Sequence, residues 1–502
     1  MSTFKSVNPQ TGESFGPDFE NTSENRVNLV IENSWRSKTA IAGTSPFERA
    51  KLLRNIGSEL EAVRAQIVAI TVQESGLPEA RINGELTRTI FQWNHFAAAL
   101  ESGGNIHPII DKADPEYGMG PRPDIRKQNQ ALGVVAIFGA SNFPLAFSTA
   151  GNDAASALAA GNAVVVKGHP SHPQTSQVVA AAIHRALKSA GLSEETFALI
   201  QGNNPELTHL VASHPLISAI GFTGSGTVGK LLMTIAASRP KVIPVYAEMG
   251  AINPLFITEN AMAERIDDLV KGVVDSALLG SGQFCTKPGF VVISSTHAES
   301  FITKTEQYLS TLAVAPLLNQ GIAQRYTTSI SELSKLGEIK VISGIPRSEG
   351  FGVTPTFFYA PWATVSKNPE LLEEHFGPTT VIVSAAESDF VAIATSLEGQ
   401  LTATIHGTDS DDIKALQAKL SDIAGRVIWN GFPTGVSVTT AMQHGGPFPA
   451  SSIDSTSIGS DAMLRFMRPV SYQNAREIDL PPALQDTNPW NLERLINGVR
   501  TK

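Results

Sequence analysis

The chain has 502 residues, 42% hydrophobic and 17% charged, an ordinary globular composition and too long for a single core, so about two to four domains are expected. A formal charge of −9, with no basic block to offset it, excludes the electrostatic footprint of a nucleic-acid binder. A single cysteine excludes an intramolecular disulfide framework and fits a reducing compartment, so a cytoplasmic protein is expected.

The N-terminus, MSTFKSVNPQTGESFGPDFE, has no apolar core of signal-peptide length. The first third reads as helical. Ser45 is placed as an N-cap, Pro46 at the first helical position and Glu48 to close a capping box. Leu52, Leu53, Ile56, Leu60, Val63, Ile67 and Ile70 follow at helical spacing until Gly76 and Pro78 stop the run. A second helix is expected through RINGELTRTIFQWNHFAAALESGG, and HPIIDKADPEYGMGPRPDIR reads as an extended connection. The apolar stretch ALGVVAIFGASNFPLAFSTAG is interrupted by Gly139, Ser141, Asn142 and Pro144, which makes it strand, turn and helix instead of a membrane span.

After Ala131 the rhythm changes. GVVAIFG, NAVVVKG, FALIQG and ISAIGFTG are short apolar runs separated by stretches of helical length. Uninterrupted apolar strands alternating with helices mark a parallel sheet covered on both faces. The alternation resumes beyond EMGAINPLFI, through GFVVISS, PTTVIVS, LTATIHG and AGRVIWNG. The fold class expected is therefore α/β with two parallel-sheet domains in series, divided near residue 250.

ISAIGFTGSGTVGKLL places Gly224, Gly226 and Gly229 at G-x-G-x-x-G spacing between a strand and a helix. Such a turn lets backbone N–H groups approach a diphosphate, and it would make Glu248 a ribose ligand. A P-loop is a rival, since Gly224 to Lys230 matches G-x-x-x-x-G-K, but Leu231 then stands where a hydroxyl must hold Mg²⁺. A tight turn that binds nothing is the third reading. The lone thiol, Cys285, lies in GSGQFCTKPG, a loop-like and partly polar setting with Lys287 as a nearby cation. The histidines His169, His172 and His444 have no cysteine or carboxylate beside them in the chain, so no metal site is expected.

GASNFPLAF, AVVVKGHP, YAEMGAINP, GSGQFCTKPG and EEHFGPTTVIV, in that order, resemble the aldehyde dehydrogenase superfamily over essentially the whole chain. With WNGFPTGV and HGGPFPAS they are most similar to the branch of α-ketoglutaric semialdehyde (2,5-dioxovalerate) dehydrogenases and NADP-dependent fatty aldehyde dehydrogenases. The resemblance implies Cys285 as nucleophile, Asn142 as oxyanion donor with the Cys285 backbone N–H, and Glu248 as general base instead of ribose ligand. The largely apolar surroundings of Glu248 suggest a raised pKa. It also implies Lys167 at the adenosine ribose, Gly224 and Ser225 at the diphosphate, Glu374 at the nicotinamide ribose and Phe376 near the nicotinamide.

The expected reaction is oxidation of α-ketoglutaric semialdehyde to 2-oxoglutarate. A longer aliphatic aldehyde is the alternative within the family; a P-loop-like nucleotide-binding protein and a non-catalytic structural paralogue are the alternatives outside it. NADP is expected, with NAD possible: Pro170 replaces the glutamate of NAD-preferring relatives, although Pro170 and Pro205 also depart from the NADP pattern. Arg122 and Arg126 are candidates for a substrate acid on composition alone. The family organisation implies a cofactor domain (1–120 and 134–251, with a return segment near 446–467) and a catalytic domain (252–445). A bridging element (121–133 and 468–502) implies a homodimer or homotetramer.

Overall fold

The computed structural model describes residues 2–103 and 105–501. Gly104, at the end of the second expected helix, lies outside the described residues.

The capping box forms: Ser45 and Glu48 exchange hydrogen bonds and Pro46 opens the helix Pro46–Ala62. The expected continuous helix is, however, two. Val63 leaves helical geometry (φ −111°, ψ 18°), and a second helix runs Arg64–Ser75 to a left-handed Gly76. The periodic apolar stripe continues across the break because both pieces bury one face in the same core. A long helix follows, Glu79–Ser102. The N-terminal third is not wholly helical: Thr3–Val7 and Ser14–Glu20 form an antiparallel hairpin. Its mostly exposed residues carry no apolar run by which a strand could be recognised.

Five parallel strands form the first large sheet, in the order Phe197–Ile200, Ala163–Lys167, Val134–Phe138, Ala219–Thr223 and Val245–Glu248. Burial on both faces explains their unbroken apolar sequences. Val135, Ile137, Val164 and Val166 enter one core, whereas Val134, Ala136, Ala163 and Val165 enter the opposite one. Chain order reverses between Val134–Phe138 and Ala219–Thr223, which opens a crevice at their carboxyl ends.

The second sheet has seven strands, in the order Lys340–Ser343, Thr356–Pro361, Val381–Ala385, Phe290–Ser294, Pro254–Ile257, Gln400–His406 and Ala424–Trp429. Only the edge strand Lys340–Ser343 runs antiparallel. This edge strand and its neighbour, Thr356–Pro361, were not anticipated, since the edge strand is largely exposed and a proline ends the neighbour. A small third sheet pairs Ile125–Ala131 with Met467–Gln473 and also takes in Ile109–Asp111, before residue 121. Among the described residues no helix is long and apolar enough to cross a membrane.

Candidate active site

The carboxyl ends of the first sheet and the amino ends of the second meet at one joint. Asn142 follows the strand Val134–Phe138, Lys167 and Glu248 end their strands, and Gly224 and Ser225 follow Ala219–Thr223. From the other side, Cys285 precedes Phe290–Ser294, and Glu374 and Phe376 precede Val381–Ala385.

The loop carrying Cys285 is pinned from several directions. Asn253, at φ +49°, donates its amide to the carbonyls of Cys285 (2.8 Å) and Lys287 (3.0 Å). The Asn142 amide donates to the Gln283 carbonyl at 2.9 Å, two residues before the thiol. Gly282 (φ +68°) must be glycine, since a Cβ there would lie 2.0 Å from the Gly377 carbonyl oxygen. The Cys285 backbone N–H meets no backbone or side-chain acceptor among the described residues.

Three side chains converge. His444 Nε2 lies 3.0 Å from Glu248 Oε1 and 3.7 Å from Cys285 Sγ, and the Ser457 hydroxyl donates to Glu248 Oε2 at 2.9 Å. Glu248 and His444 are buried, and Cys285 is half-buried. Burial and the facing Glu248 carboxylate push the thiol well above its usual range, so the resting sulfur is protonated. Burial also acts to raise Glu248, but His444 and the hydroxyl of Ser457 outweigh it and hold the carboxyl below its usual range. The raised pKa expected from apolar neighbours is thus corrected: the deciding neighbours are polar and arrive from residues 444 and 457. A small pocket of about 10 Å³ borders Glu248, His444, Ser457 and Arg465, on the scale of a single water beside the carboxylate.

His444 was missed because its partners are distant in the chain. The expectation that no ligand set surrounds it holds only along the sequence: one ligand atom each of Glu248, Cys285 and His444 lie within 4.8 Å of one another. Its one sequence signal was a histidine next to two glycines in HGGPFPAS. Lys287, read as a cation near the thiol, points elsewhere. Its ammonium donates to the carbonyls of His375 (2.7 Å), Gly377 (3.0 Å) and Thr379 (2.9 Å), bracing the Glu374 loop.

The remaining expected residues are divided between the two sides of the joint. Lys167 meets no acceptor for its ammonium among the described residues, and burial pulls it down to about 8. Ser225 caps the helix Gly226–Ser238 without a side-chain hydrogen bond, leaving the first-turn N–H groups open. Lys230 of the P-loop reading leaves this turn and lies 5.8 Å from the centroid of the Phe448 ring. Glu374 is solvent-accessible yet crowded by protein on most sides, which raises its carboxyl to about 7 against the opposing charge of Lys287. Gly250 makes room for it: a Cβ would meet Glu374 Oε2 at 1.9 Å. Phe376 is half-buried against the larger core of the first sheet.

Arg122 and Arg126 are both spoken for outside this joint. Arg126 pairs with Asp124, Glu477 and Asp486, and Arg122 bonds Lys112 and Asn497 within the small third sheet.

The aldehyde dehydrogenase family model matches residues 1–471. The chain is 39% identical to α-ketoglutaric semialdehyde dehydrogenase of Acinetobacter baylyi, covering 100% of this chain and 96% of that one. It is 40% identical to α-ketoglutaric semialdehyde dehydrogenase 2 of Azospirillum brasilense, covering 99% and 96%. Among solved structures it resembles PnpE in complex with nicotinamide adenine dinucleotide, with a TM-score of 0.81 at 21% identity over 95% of each chain. It also resembles glyceraldehyde-3-phosphate dehydrogenase GapN of Methanocaldococcus jannaschii complexed with NADP, with a TM-score of 0.80 at 19% identity over 94% and 99%. The match spans both large sheets and the joint between them, and the chain belongs to the aldehyde dehydrogenase family.

Proposed function

We propose that this chain oxidises α-ketoglutaric semialdehyde to 2-oxoglutarate through an acyl group held on Cys285. The convergence of Cys285, His444 and Glu248 carries the chemistry, and the two relatives near 40% identity support the substrate.

Direct loss of hydride from an aldehyde is difficult, so the thiolate adds first. The thiol proton passes to the Glu248 carboxylate, which faces the sulfur, and from there to solvent, leaving Glu248 ionised again. The sulfur attacks the carbonyl carbon. The developing oxyanion is received by the second amide hydrogen of Asn142 and the free N–H of Cys285. A bound NAD(P)⁺ supplies the acceptor for the hydride that this alkoxide expels. Glu248, kept ionised by its partners, then takes a proton from water in the adjoining cavity. Hydroxide adds to the thioester, the C–S bond breaks, and acid and thiol are released. Aldehyde, water and NAD(P)⁺ become carboxylate, NAD(P)H and two protons.

Lys167, Ser225 and Glu374, at strand ends on the two sides of the joint, suit the parts of a nicotinamide dinucleotide. An unpartnered Lys167 ammonium suits a ribose or its phosphate, the open turn at Ser225 suits a diphosphate, and Glu374 over bare Gly250 suits the second ribose. No carboxylate charge acts on Lys167. That supports NADP with tolerance for NAD, because a 2′-phosphate meets a cation and no repelling anion.

An apolar cluster of Phe143, Phe147, Phe284, Val436 and Met442, formed around the loops that carry Asn142 and Cys285, favours, as a second reading, a longer aliphatic aldehyde. The edge strand Ala424–Trp429, with Trp429 exposed, and the small sheet offer edges for pairing with a second copy, which supports a homo-oligomer. A soluble cytoplasmic enzyme is consistent with these features. Comparing kcat/KM for α-ketoglutaric semialdehyde and for pentanal, with NADP and with NAD, tests the reading. Preference for the keto acid with NADP supports it, and preference for pentanal overturns it.

A further inference from the structure

Resting on the keto-acid reading, a carboxylate must be held at a fixed distance from Cys285. Extended, α-ketoglutaric semialdehyde separates its aldehyde carbon from its carboxylate carbon by about 5 Å, given C–C bonds near 1.5 Å. An anion at that distance, beside the aromatic cluster of Phe143, Phe147 and Phe284, needs a cation that the protein has not already used.

The long helix Glu79–Ser102 presents Arg81, Glu85 and Arg88 at i, i+4 and i+7, on one face. Arg81 is occupied. It donates to the Asn142 carbonyl at 3.2 Å, faces Glu85 Oε2 at 3.8 Å and covers the rings of Phe143 and Phe284. Glu85 in turn accepts from the N–H groups of Leu145 and Ala146. Arg426 leaves its Nε without a partner, but both of its terminal nitrogens are committed to loop carbonyls, those of Pro433 and Gly435, and Arg465 pairs with Asp153 at 2.6 Å.

Arg88 is different. Its Nε and Nη2 are buried without a hydrogen-bond partner, and among the described residues it makes no ion pair within 4.0 Å. The guanidinium lies 5.3 Å from the centroid of the Phe147 ring, and that ring lies 5.9 Å from the ring of His444, beside the thiol. Burial is the main influence on the guanidinium, and the Glu85 and Glu248 carboxylates act on it in the opposite sense. A buried guanidinium with two idle donors is costly unless a ligand completes it. Its planar fork matches a carboxylate in bidentate fashion.

We propose that Arg88 is the carboxylate-binding residue of the substrate site, holding the acid end of an aldehyde acid while Cys285 engages the other end. The polar stripe on an otherwise core-facing helix is then a specificity element, and the aromatic cluster carries the methylene groups between.

The test compares wild type, Arg88→Met and Arg88→Lys at saturating NADP, with thermal melting to confirm folding. In Arg88→Met the ratio of kcat/KM for the semialdehyde over pentanal should fall by about 10- to 100-fold, carried mainly by KM. Arg88→Lys should recover part of it. Glutarate, a dianion with no aldehyde, should inhibit pentanal oxidation by wild type and inhibit Arg88→Met far more weakly. Equal losses on both aldehydes, the signature of a purely structural or thiolate-stabilising role, overturn the proposal, as does unchanged glutarate inhibition. A wild type that prefers pentanal sinks the keto-acid reading instead, and the glutarate comparison still decides on Arg88.

Discussion

His444 Nε2 and Glu248 Oε1 stand 3.0 Å apart inside the protein, with Cys285 Sγ 3.7 Å from the same nitrogen. The pair keeps a buried carboxylate ionised where burial alone would protonate it. Removing the imidazole leaves the desolvation of Glu248 opposed only by Ser457 and Cys285. In His444→Ala the carboxyl therefore rises, and because the base must be ionised to act, the acidic limb of the kcat/KM profile moves to higher pH. Rate profiles of the two proteins check this; superimposable limbs would show that His444 does not set the state of Glu248.

Asn142 gives one amide hydrogen to the Gln283 carbonyl and leaves one for the oxyanion. Asn142→Ala should fold and bind cofactor normally but lose about 10²–10³-fold in kcat, the usual cost of one oxyanion donor. Unchanged turnover would remove Asn142 from the reaction.

Lys167 sits near neutrality, pulled down to about 8 by burial. Its cationic form favours a 2′-phosphate and is lost as pH rises through that value. The ratio of kcat/KM for NADP over NAD should accordingly fall between pH 7 and pH 9, both being about one unit from the midpoint. A ratio that is flat over this range would separate the preference from Lys167.

The sulfur, imidazole nitrogen and carboxylate oxygen have the ligand types and much of the spacing of a tetrahedral zinc set. Zinc should inhibit at low concentration, release one thiol proton on binding and be reversed by chelator. His444→Ala should blunt the inhibition. Equal sensitivity of the variant would mean that zinc acts at another site.

Much of this was legible in the chain because strands buried on both faces leave unmistakable apolar runs, as at Val134–Phe138 and Phe290–Ser294. The glycines and proline around Cys285 marked a loop, and Gly282 and Asn253 now show how it is held. The family motifs picked out both halves of the joint. What escaped were properties made by distant residues meeting in space. His444 reaches Glu248 across almost two hundred positions, and Lys287 is turned away from the thiol by three carbonyls of the 375–379 loop. Nothing in the sequence singled out Arg88; in the structure two of its guanidinium nitrogens are buried without a partner.

Catalysis through an acyl group carried by Cys285 and released with the help of Glu248 has two steps, and Glu248→Gln separates them. Mixed rapidly with semialdehyde and NADP, the variant should give a burst of NADPH approaching one equivalent per active site, then almost no steady turnover. Intact-protein mass and peptide mapping should place the acyl adduct on Cys285. Steady turnover at the wild-type rate, or NADPH formation with no adduct on Cys285, would contradict it.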